Sequence, residues 1–284
     1  MTAKFRIGLF TSAWDYVAWE LVSTVHQAVE MGTIPNAEIA FLLSTREKGE
    51  TPFGDLMINN ARETGLPITT FSSLRFKPDL RKQGREAKRA GDPSILETWR
   101  DEHDREIVKR ITETDLDVLL GYMWEFSGAT CRTRTIINLH PALPTGPKGT
   151  YKEVIWELIR NRATETGVMM HVISPELDRG AAVSFCHFSI RGERFDPLWE
   201  EMGDRRKQQS LDTIAAEEGE NNPLFKTIRD EGVRREFPLV LSTIKSLVEG
   251  NIRIKHGAVS AQGKIIPYGY DLTDEIEMTV AHNR

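Results

Sequence analysis

The chain is poor in cysteine, and this scarcity excludes several kinds of site. Cys131 and Cys186 are the two cysteines among 284 residues, and they stand far apart, in neither a metal-binding nor a redox spacing. A disulfide-stapled scaffold and a cysteine-based metal or redox motif are therefore not expected. The seven histidines do not cluster at ligand spacing either, so the sequence predicts no metal site.

Long apolar runs and a large excess of one charge are also missing. No stretch approaches the roughly 20 apolar residues that a bilayer requires, and the N-terminus runs into a strand without an apolar signal segment. The formal net charge is −5, and acidic and basic residues are interspersed. Bulk charge therefore does not favour a nucleic-acid partner. We expect a cytoplasmic protein that binds small molecules, with no membrane or nucleic-acid partner.

Glycine is absent from the turn where a dinucleotide-binding fold needs it. After a first predicted strand, Phe5 to Phe10, the chain continues Thr11-Ser12-Ala13-Trp14-Asp15-Tyr16. Without glycine, backbone amides in this turn cannot closely approach a phosphate, so a Rossmann-type dinucleotide site is not expected. Trp14, Tyr16 and Trp19 either pack in the core or line a pocket. A nucleophile-elbow pattern is absent as well.

What the sequence does contain is an alternation of strands and helices. This pattern builds a mostly parallel sheet with helices on both faces. After Gly167, two apolar runs joined by a short loop predict antiparallel strands, Val168 to Ser174 and Ala181 to Ile190. The predicted fold is α/β and doubly wound, with an antiparallel extension and a small C-terminal helix and hairpin.

The segment from Arg75 to Asp101 breaks this pattern. It is charged and has almost no apolar period as far as Gly91. A solvated loop with some helix is the simpler interpretation, and a basic flap over an anionic substrate is the alternative.

The strongest candidate site follows the apolar run Ile136 to Leu139. A buried strand that breaks into polar residues and prolines delivers side chains to the carboxyl edge of an open sheet. Asn138 and His140 are two residues apart and project to one face, where an amide and an imidazole can stabilise an oxyanion. Asp178 either satisfies its own backbone in a turn or keeps His140 protonated. His171, within an apolar run, is interpreted as a buried structural histidine.

Three segments together resemble the folate-dependent formyltransferases, and among them most the phosphoribosylglycinamide formyltransferases. These segments are Asn138 to Pro144, Glu165 to Val172 and Glu176 to Gly180. The resemblance implies a Rossmann-like formyltransferase fold, with a catalytic domain at residues 1–190. Residues 191–284 would complete that domain with a helical insertion and a C-terminal helix and hairpin.

The resemblance also implies the chemistry. Asn138 and a protonated His140 would hold the formyl oxygen of N10-formyltetrahydrofolate, and Asp178 would assist the proton transfers. The folate co-substrate is expected to contact, mainly through backbone groups, Tyr122, Met123, Trp124, Phe126, Glu176, Leu177 and Gly180.

The chain departs from the family pattern where the acceptor amine binds. A bulky aromatic and an acid, Trp14 and Asp15, stand where the family holds the phosphate of its acceptor. Residues 233–236 read Val-Arg-Arg-Glu near the position of a family carboxylate. We expect a small-molecule amine other than glycinamide ribotide, bound by Ser12, Trp14, Tyr16 and Arg234. Extra sequence at 75–92 and 200–222 is expected to form a lid or a homodimer contact.

Two other functions stay open. One is hydrolysis of formyltetrahydrofolate, although that related family places a regulatory domain before its first catalytic strand, whereas this chain begins at the strand. The other is a non-catalytic folate-binding homologue. The presence of all three polar residues favours transfer over this last alternative.

Overall fold

The computed structural model describes residues 3–174 and 180–282, which form two compact units. The described residues of unit 1 are 3–138, 172–174, 180 and 244–257. Those of unit 2 are 139–171, 181–243 and 258–282.

The strands build one eight-stranded sheet and one three-stranded sheet. Their bounds are β1 (Phe5–Thr11), β2 (Ala37–Ser44), β3 (Ile68–Thr70), β4 (Leu116–Leu119), β5 (Ile136–His140), β6 (Glu165–Val172), β7 (Ala182–Ser189), β8 (Ile252–Lys255), β9 (Ala258–Ala261), β10 (Lys264–Ile265) and β11 (Tyr270–Asp271). The large sheet has the order β11-β7-β6-β5-β4-β1-β2-β3, and the small one has the order β10-β9-β8. Pairing is parallel among β1 to β5 and between β7 and β11, and antiparallel between β6 and β7.

Helices alternate with the strands of the first half and dominate the second half. Their bounds are α1 (Tyr16–Glu30), α2 (Pro52–Glu63), α3 (Pro78–Arg89), α4 (Ser94–Val108), α5 (Gly128–Thr133), α6 (Tyr151–Arg160), α7 (Asp196–Arg205), α8 (Leu211–Glu218), α9 (Pro223–Val248) and α10 (Thr273–His282). The mostly parallel sheet with its antiparallel extension and C-terminal helix confirms the predicted fold class.

Aromatic side chains fill the core of unit 1 beside the ends of β1 and β4. Phe10 makes edge-to-face contacts with Phe41, Tyr122 and Phe126 at centroid distances of 5.3, 5.8 and 5.5 Å. Such pairs add about 0.5–1.5 kcal/mol each beyond the area they bury. This core therefore fixes the backbone immediately after β4.

In unit 2, β7 is joined to helices α9 and α10 by buried polar groups. Arg235 is buried and forms ion pairs with Glu231, 2.8 Å away, and with Glu277, 2.6 Å away. Its guanidinium carbon lies 4.2 Å from the ring centroid of Phe188. A buried cation needs such partners, because an unpaired charge in the interior is strongly destabilising.

The charged segment at 75–101 differs from the simpler sequence interpretation. It forms helix α3 and the first half of α4, so it is more helical than a solvated loop with some helix. The two helices approach closely at Gly84, where an added Cβ would lie 2.8 Å from the backbone nitrogen of Leu96. The contact depends on the absence of a side chain at Gly84. It therefore adds no apolar residue to the periodic pattern from which a packed helix is predicted.

The last long helix also begins earlier than the apolar pattern indicates. The sequence predicts a helix from Phe237 to Glu249, whereas α9 starts at Pro223 and continues through Pro238. Its first half is charged, but it buries Leu224, Phe225 and Ile228 in the core. Ion pairs of Arg235 with Glu231 and of Arg229 with Glu236 add to this packing.

Candidate functional site

Strand β5 carries the two residues that the sequence singles out most strongly. Ile136 and Ile137 are fully buried, and Asn138 is half-buried opposite Leu119 of β4. The strand ends at His140. Asn138 and His140 both belong to β5, and residues two apart on a strand extend from the same face.

The His140 ring is held in one orientation. Its side chain is buried, and Nε2 lies 3.0 Å from the carbonyl oxygen of Pro147. A carbonyl oxygen can only accept a hydrogen bond, so Nε2 carries the hydrogen and donates it. Nδ1 accepts when the imidazole is neutral and donates only when the ring is an imidazolium.

The loop that supplies the Pro147 carbonyl is fixed at both ends. Near its start, the Gly146 amide donates to the carbonyl of Leu143 over 2.8 Å. At its end, Thr150 and Glu153 form a capping box that begins α6, and the Thr150 amide donates to Glu153 Oε2 over 2.7 Å. This reciprocal cap stabilises the helix start, and it therefore also stabilises the position of the His140 ring.

A second imidazole lies beside the first. His171 on β6 is buried, and its ring centroid is 6.0 Å from that of His140 in a T-shaped arrangement. The sequence interpretation treated His171 as structural and did not place it next to His140. Nothing in the local pattern of either strand could have indicated this neighbour, since it depends on which strands are adjacent.

The predicted acidic residue lies outside the described residues. Asp178, Glu176 and Leu177 fall in the segment 175–179, so their assigned roles stay predictions. Gly180 is described, and a Cβ added there would lie 1.6 Å from the carbonyl oxygen of Val172. A close backbone approach therefore accounts for a glycine at this position.

The predicted folate contacts after β4 divide into core and surface residues. Tyr122 and Phe126 are buried and stack with a centroid distance of 4.9 Å. Burial, together with the charge of Asp104, raises the pKa of the Tyr122 hydroxyl well above its usual range. Met123 is 69% exposed and Trp124 is half-buried. The side chains of Met123 and Trp124 thus reach the surface. The side chains of Tyr122 and Phe126 lie in the core, so a folate contact with these two residues would have to use their backbone groups.

A chain of hydrogen bonds ties the ends of β1, β2 and β4 together. The Trp124 indole nitrogen donates to Thr45 Oγ1 over 3.2 Å, and Thr45 donates to Ser12 Oγ over 3.2 Å. The Met123 amide also donates to Ser12 Oγ, over 2.9 Å. Ser12 and Thr45 are fully buried. Ser12, predicted as an acceptor contact, therefore also holds the surface residues Met123 and Trp124 in place.

The aromatic residues predicted for the acceptor lie at the surface after β1. Trp14 is 63% exposed and Tyr16 is 52% exposed. Asp15 caps α1, and its side chain accepts a hydrogen bond from the Ala18 amide over 3.0 Å. The guanidinium of Arg46 lies 5.8 Å from the centroid of the Trp14 ring.

Arg46 is a residue that the sequence analysis missed. It is buried two residues after the end of β2, and its Nη1 donates to the Thr45 carbonyl over 3.1 Å. Burial lowers its pKa, and Glu50 opposes this effect. The remaining acceptor candidate, Arg234, lies on α9 in unit 2, where its Nη1 is 3.2 Å from Glu231 Oε1. The sequence does contain a signal for Arg46, because this residue closely follows the apolar run from Ala37 to Ser44.

The described residues contain neither a membrane-spanning helix nor a cluster of metal ligands. No helix among them is long and apolar enough to cross a membrane. Within residues 3–174 and 180–282, no group of three or more His, Cys, Asp or Glu side chains is arranged to hold a metal ion.

Comparison with solved structures defines the class of fold. The phosphoribosylglycinamide formyltransferase of Coxiella burnetii is 16% identical, with a TM-score of 0.61 over 94% of this chain and 99% of that one. The glycinamide ribonucleotide transformylase 1 of Symbiobacterium toebii is 15% identical, with a TM-score of 0.58 over 92% of this chain and 95% of that one.

A formyltetrahydrofolate deformylase has the same fold. The enzyme from Pseudomonas syringae pv. tomato is 13% identical, with a TM-score of 0.55 over 92% of this chain and 66% of that one. No family model and no curated protein sequence matches the chain. The chain therefore has the fold that these folate-dependent formyltransferases and deformylases share.

Proposed function

We propose that this protein transfers a formyl group from N10-formyltetrahydrofolate to the amine of a small molecule. The observation that carries the proposal is the end of β5, where Asn138 and the oriented imidazole of His140 lie on one face of a strand. The fold supports it, because structures of enzymes named for formyl-group chemistry match more than nine-tenths of the chain.

In this proposal, Asn138 and His140 act on the formyl oxygen. The Asn138 amide donates to this oxygen, and so does Nδ1 of His140 in the imidazolium form, since Nε2 is already bound to Pro147. Attack of the amine nitrogen on the formyl carbon gives a tetrahedral intermediate with negative charge on the oxygen. Donors aimed at that charge stabilise the transition state.

The intermediate then collapses by breaking the bond between the formyl carbon and N10. The attacking amine loses a proton, N10 gains one, and the products are a formamide and tetrahydrofolate. Asp178 is proposed to relay this proton as a general acid and base. The co-substrate is proposed to lie against Met123 and Trp124, which have surface side chains at the end of β4.

The acceptor is proposed to differ from glycinamide ribotide. Trp14 and the helix-capping Asp15 occupy the turn after β1. The Asp15 carboxylate accepts from an amide at the start of α1, where a phosphate would otherwise bind. The exposed faces of Trp14 and Tyr16 suit an acceptor with an apolar or ring-containing portion.

A screen of amines tests this function. The protein is incubated with N10-formyltetrahydrofolate and amines grouped as amino sugars, amino acids and nucleoside amines, and products are detected by the mass increase of a formyl group. We expect one class to be formylated with stoichiometric release of tetrahydrofolate. If no amine is formylated and the folate is not consumed, the proposal is wrong.

Hydrolysis is the second candidate, because a formyltetrahydrofolate deformylase has the same fold. Water would then replace the amine, and the products would be formate and tetrahydrofolate. Formate release in the absence of any amine separates the two functions. A transferase releases negligible formate, whereas rapid release that added amines do not suppress would favour the hydrolase.

A further inference from the structure

A cavity of about 510 Å³ lies in unit 1 between α3, α4 and the residues after β4. This volume is within the range of small-molecule sites. Four residues of α3 form its cationic wall: Arg81, Arg85, Lys88 and Arg89. Trp99 and Trp124 contribute to its apolar wall. It therefore adjoins Trp124, a proposed contact of the folate co-substrate.

The four cations of α3 lie along one face of the helix. Their spacing of four, seven and eight residues from Arg81 brings them to the same side. None of them has an ion pair with a carboxylate in the part of the chain that the structure describes. Glu125 is the one carboxylate among the described residues that line the cavity, and it already pairs with Arg100. No carboxylate among the described residues therefore neutralises this row of positive charge.

This arrangement is electrostatically unfavourable in the absence of a ligand. Burial lowers the pKa of Arg81, and the nearby charges of Arg85 and Arg46 lower it further. Like charges one turn apart also destabilise a helix. Arg85, Lys88 and Arg89 are exposed, so their charged groups are accessible to a ligand.

The fold holds helix α3 and its first cation, Arg81, in place. The Nη1 atom of Arg81 donates to the Ser73 carbonyl over 3.3 Å, and its guanidinium lies 5.2 Å from the centroid of the Trp124 ring. Ser73 Oγ is in turn 2.7 Å from Nε2 of the buried His103. The contact of Gly84 with the backbone of Leu96 fixes the helix itself.

We propose that this cavity binds an oligoanionic segment of a ligand, with two or more carboxylate or phosphate groups lying in a row along α3. Guanidinium groups bind both kinds of anion through paired hydrogen bonds. The proposed function supplies two sources for this chemistry, and the inference depends on that function only in naming them. One is a chain of γ-linked glutamates on the folate, and the other is a phosphorylated acceptor.

Direct binding of two probes tests the inference without turnover. The probes are a peptide of four γ-linked glutamates and inorganic tripolyphosphate. Binding is measured by calorimetry and by the fluorescence of the cavity tryptophans. The test variant carries Arg85→Gln, Lys88→Gln and Arg89→Gln. The matched control carries Lys48→Gln, Lys82→Gln and Lys226→Gln, which remove the same charge at exposed positions outside the cavity lining.

We expect at least one probe to bind the wild type, with a Kd about tenfold or more weaker in the cavity variant and within about twofold in the control. Tighter binding of the glutamate peptide assigns the folate tail as the source, and tighter binding of tripolyphosphate assigns the acceptor.

The inference is overturned if neither probe binds, or if both variants lose affinity equally. Circular dichroism and thermal unfolding establish that the variants are folded. If the protein transfers formyl groups but binds neither probe, this inference is wrong and the proposed function stands. If the probes bind in a charge-dependent way but no formyl transfer is found, the proposed function is wrong and this inference stands.

Discussion

The Nε2 atom of His140 lies 3.0 Å from the carbonyl oxygen of Pro147, and this contact fixes which ring nitrogen bears the hydrogen. The neutral ring is therefore the Nε2-protonated tautomer, with Nδ1 free of hydrogen. A neutral ring in this tautomer cannot donate to a formyl oxygen through Nδ1. The proposed transfer thus depends on protonation at Nδ1, and His140 acts as a donor only as an imidazolium.

Nitrogen NMR measures this tautomer directly. In a spectrum of the labelled protein at a pH where the ring is neutral, we expect Nε2 of His140 to show the shift of a protonated nitrogen and Nδ1 that of an unprotonated one. His282, whose Nδ1 lies 2.7 Å from the Met278 carbonyl oxygen and therefore carries the hydrogen, serves as an internal reference for the opposite tautomer. The reverse assignment would contradict the hydrogen bond to Pro147.

Asn138 offers a test of donor chemistry at nearly constant size. Asn138→Asp replaces the amide donor with a carboxylate that repels an oxyanion, while Asn138→Ala only removes the donor. Loss of one oxyanion donor costs about 10²–10³ in rate, so the alanine variant should fall by that factor and the aspartate variant by more. Rates of tetrahydrofolate release from formyl donor measure both. Equal activity of Asp and Asn at this position would exclude an oxyanion role.

Ser12 is expected to matter for stability as well as for any contact with the acceptor. Ser12→Ala removes the acceptor for the Thr45 hydroxyl and the Met123 amide. Leaving a buried donor without a partner costs about 1–3 kcal/mol, so the free energy of unfolding in urea should fall by about that amount. Ser23→Ala on α1, where the hydroxyl makes a solvent-exposed hydrogen bond to the Glu20 carbonyl, is the control and should change it by less than about 0.5 kcal/mol. An unchanged stability in Ser12→Ala would contradict the observed hydrogen-bond chain.

Both cysteines are expected to be unreactive in the folded protein. Burial raises the pKa of the Cys131 thiol to about 11, helped by the charge of Asp104, and burial raises that of Cys186 to about 12. Thiolates are the reactive form, so at pH 8 a disulfide reagent should label neither thiol quickly in the native state and both after unfolding in urea. Rapid labelling of a native thiol would contradict this burial.

The same raised pKa values set the direction of a pH effect. The folded state holds both thiol protons more tightly than the unfolded state, whose thiols titrate near 9.0. The contribution of the two protonated thiols to the stability of the folded state is therefore complete below pH 9.0 and is lost as the pH rises toward 11 and 12. Replacing Cys186 with Ser should reduce this alkaline loss, as measured by urea unfolding between pH 8 and 10.

The fold was largely predictable because its signals are local. The apolar run from Ile136 to Leu139, which predicts a buried strand, lies within β5 at Ile136–His140. The alternation of strands and helices then defines the parallel sheet. Helix α3 was not predictable in this way, because its packing contact is made by Gly84 and its other side is charged.

The candidate site was predictable only in part. Asn138 and His140 share a strand, so their common face follows from spacing. The Pro147 partner of His140, the position of His171 and the approach of Arg46 to Trp14 depend on tertiary contacts between segments that carry no shared sequence pattern. Asp178 lies outside the described residues, and its role remains a prediction.

The fate of a labelled formyl group tests the central claim most directly. The donor is N10-formyltetrahydrofolate with ¹³C in the formyl group, mixed with the amine identified by the screen, and wild type is compared with His140→Ala. We expect the label in a formamide product, and a rate that falls by about 10²–10⁴ in the variant while its circular dichroism spectrum is unchanged. If His140→Ala transfers the label as fast as wild type, or the label appears only in formate, the account is contradicted.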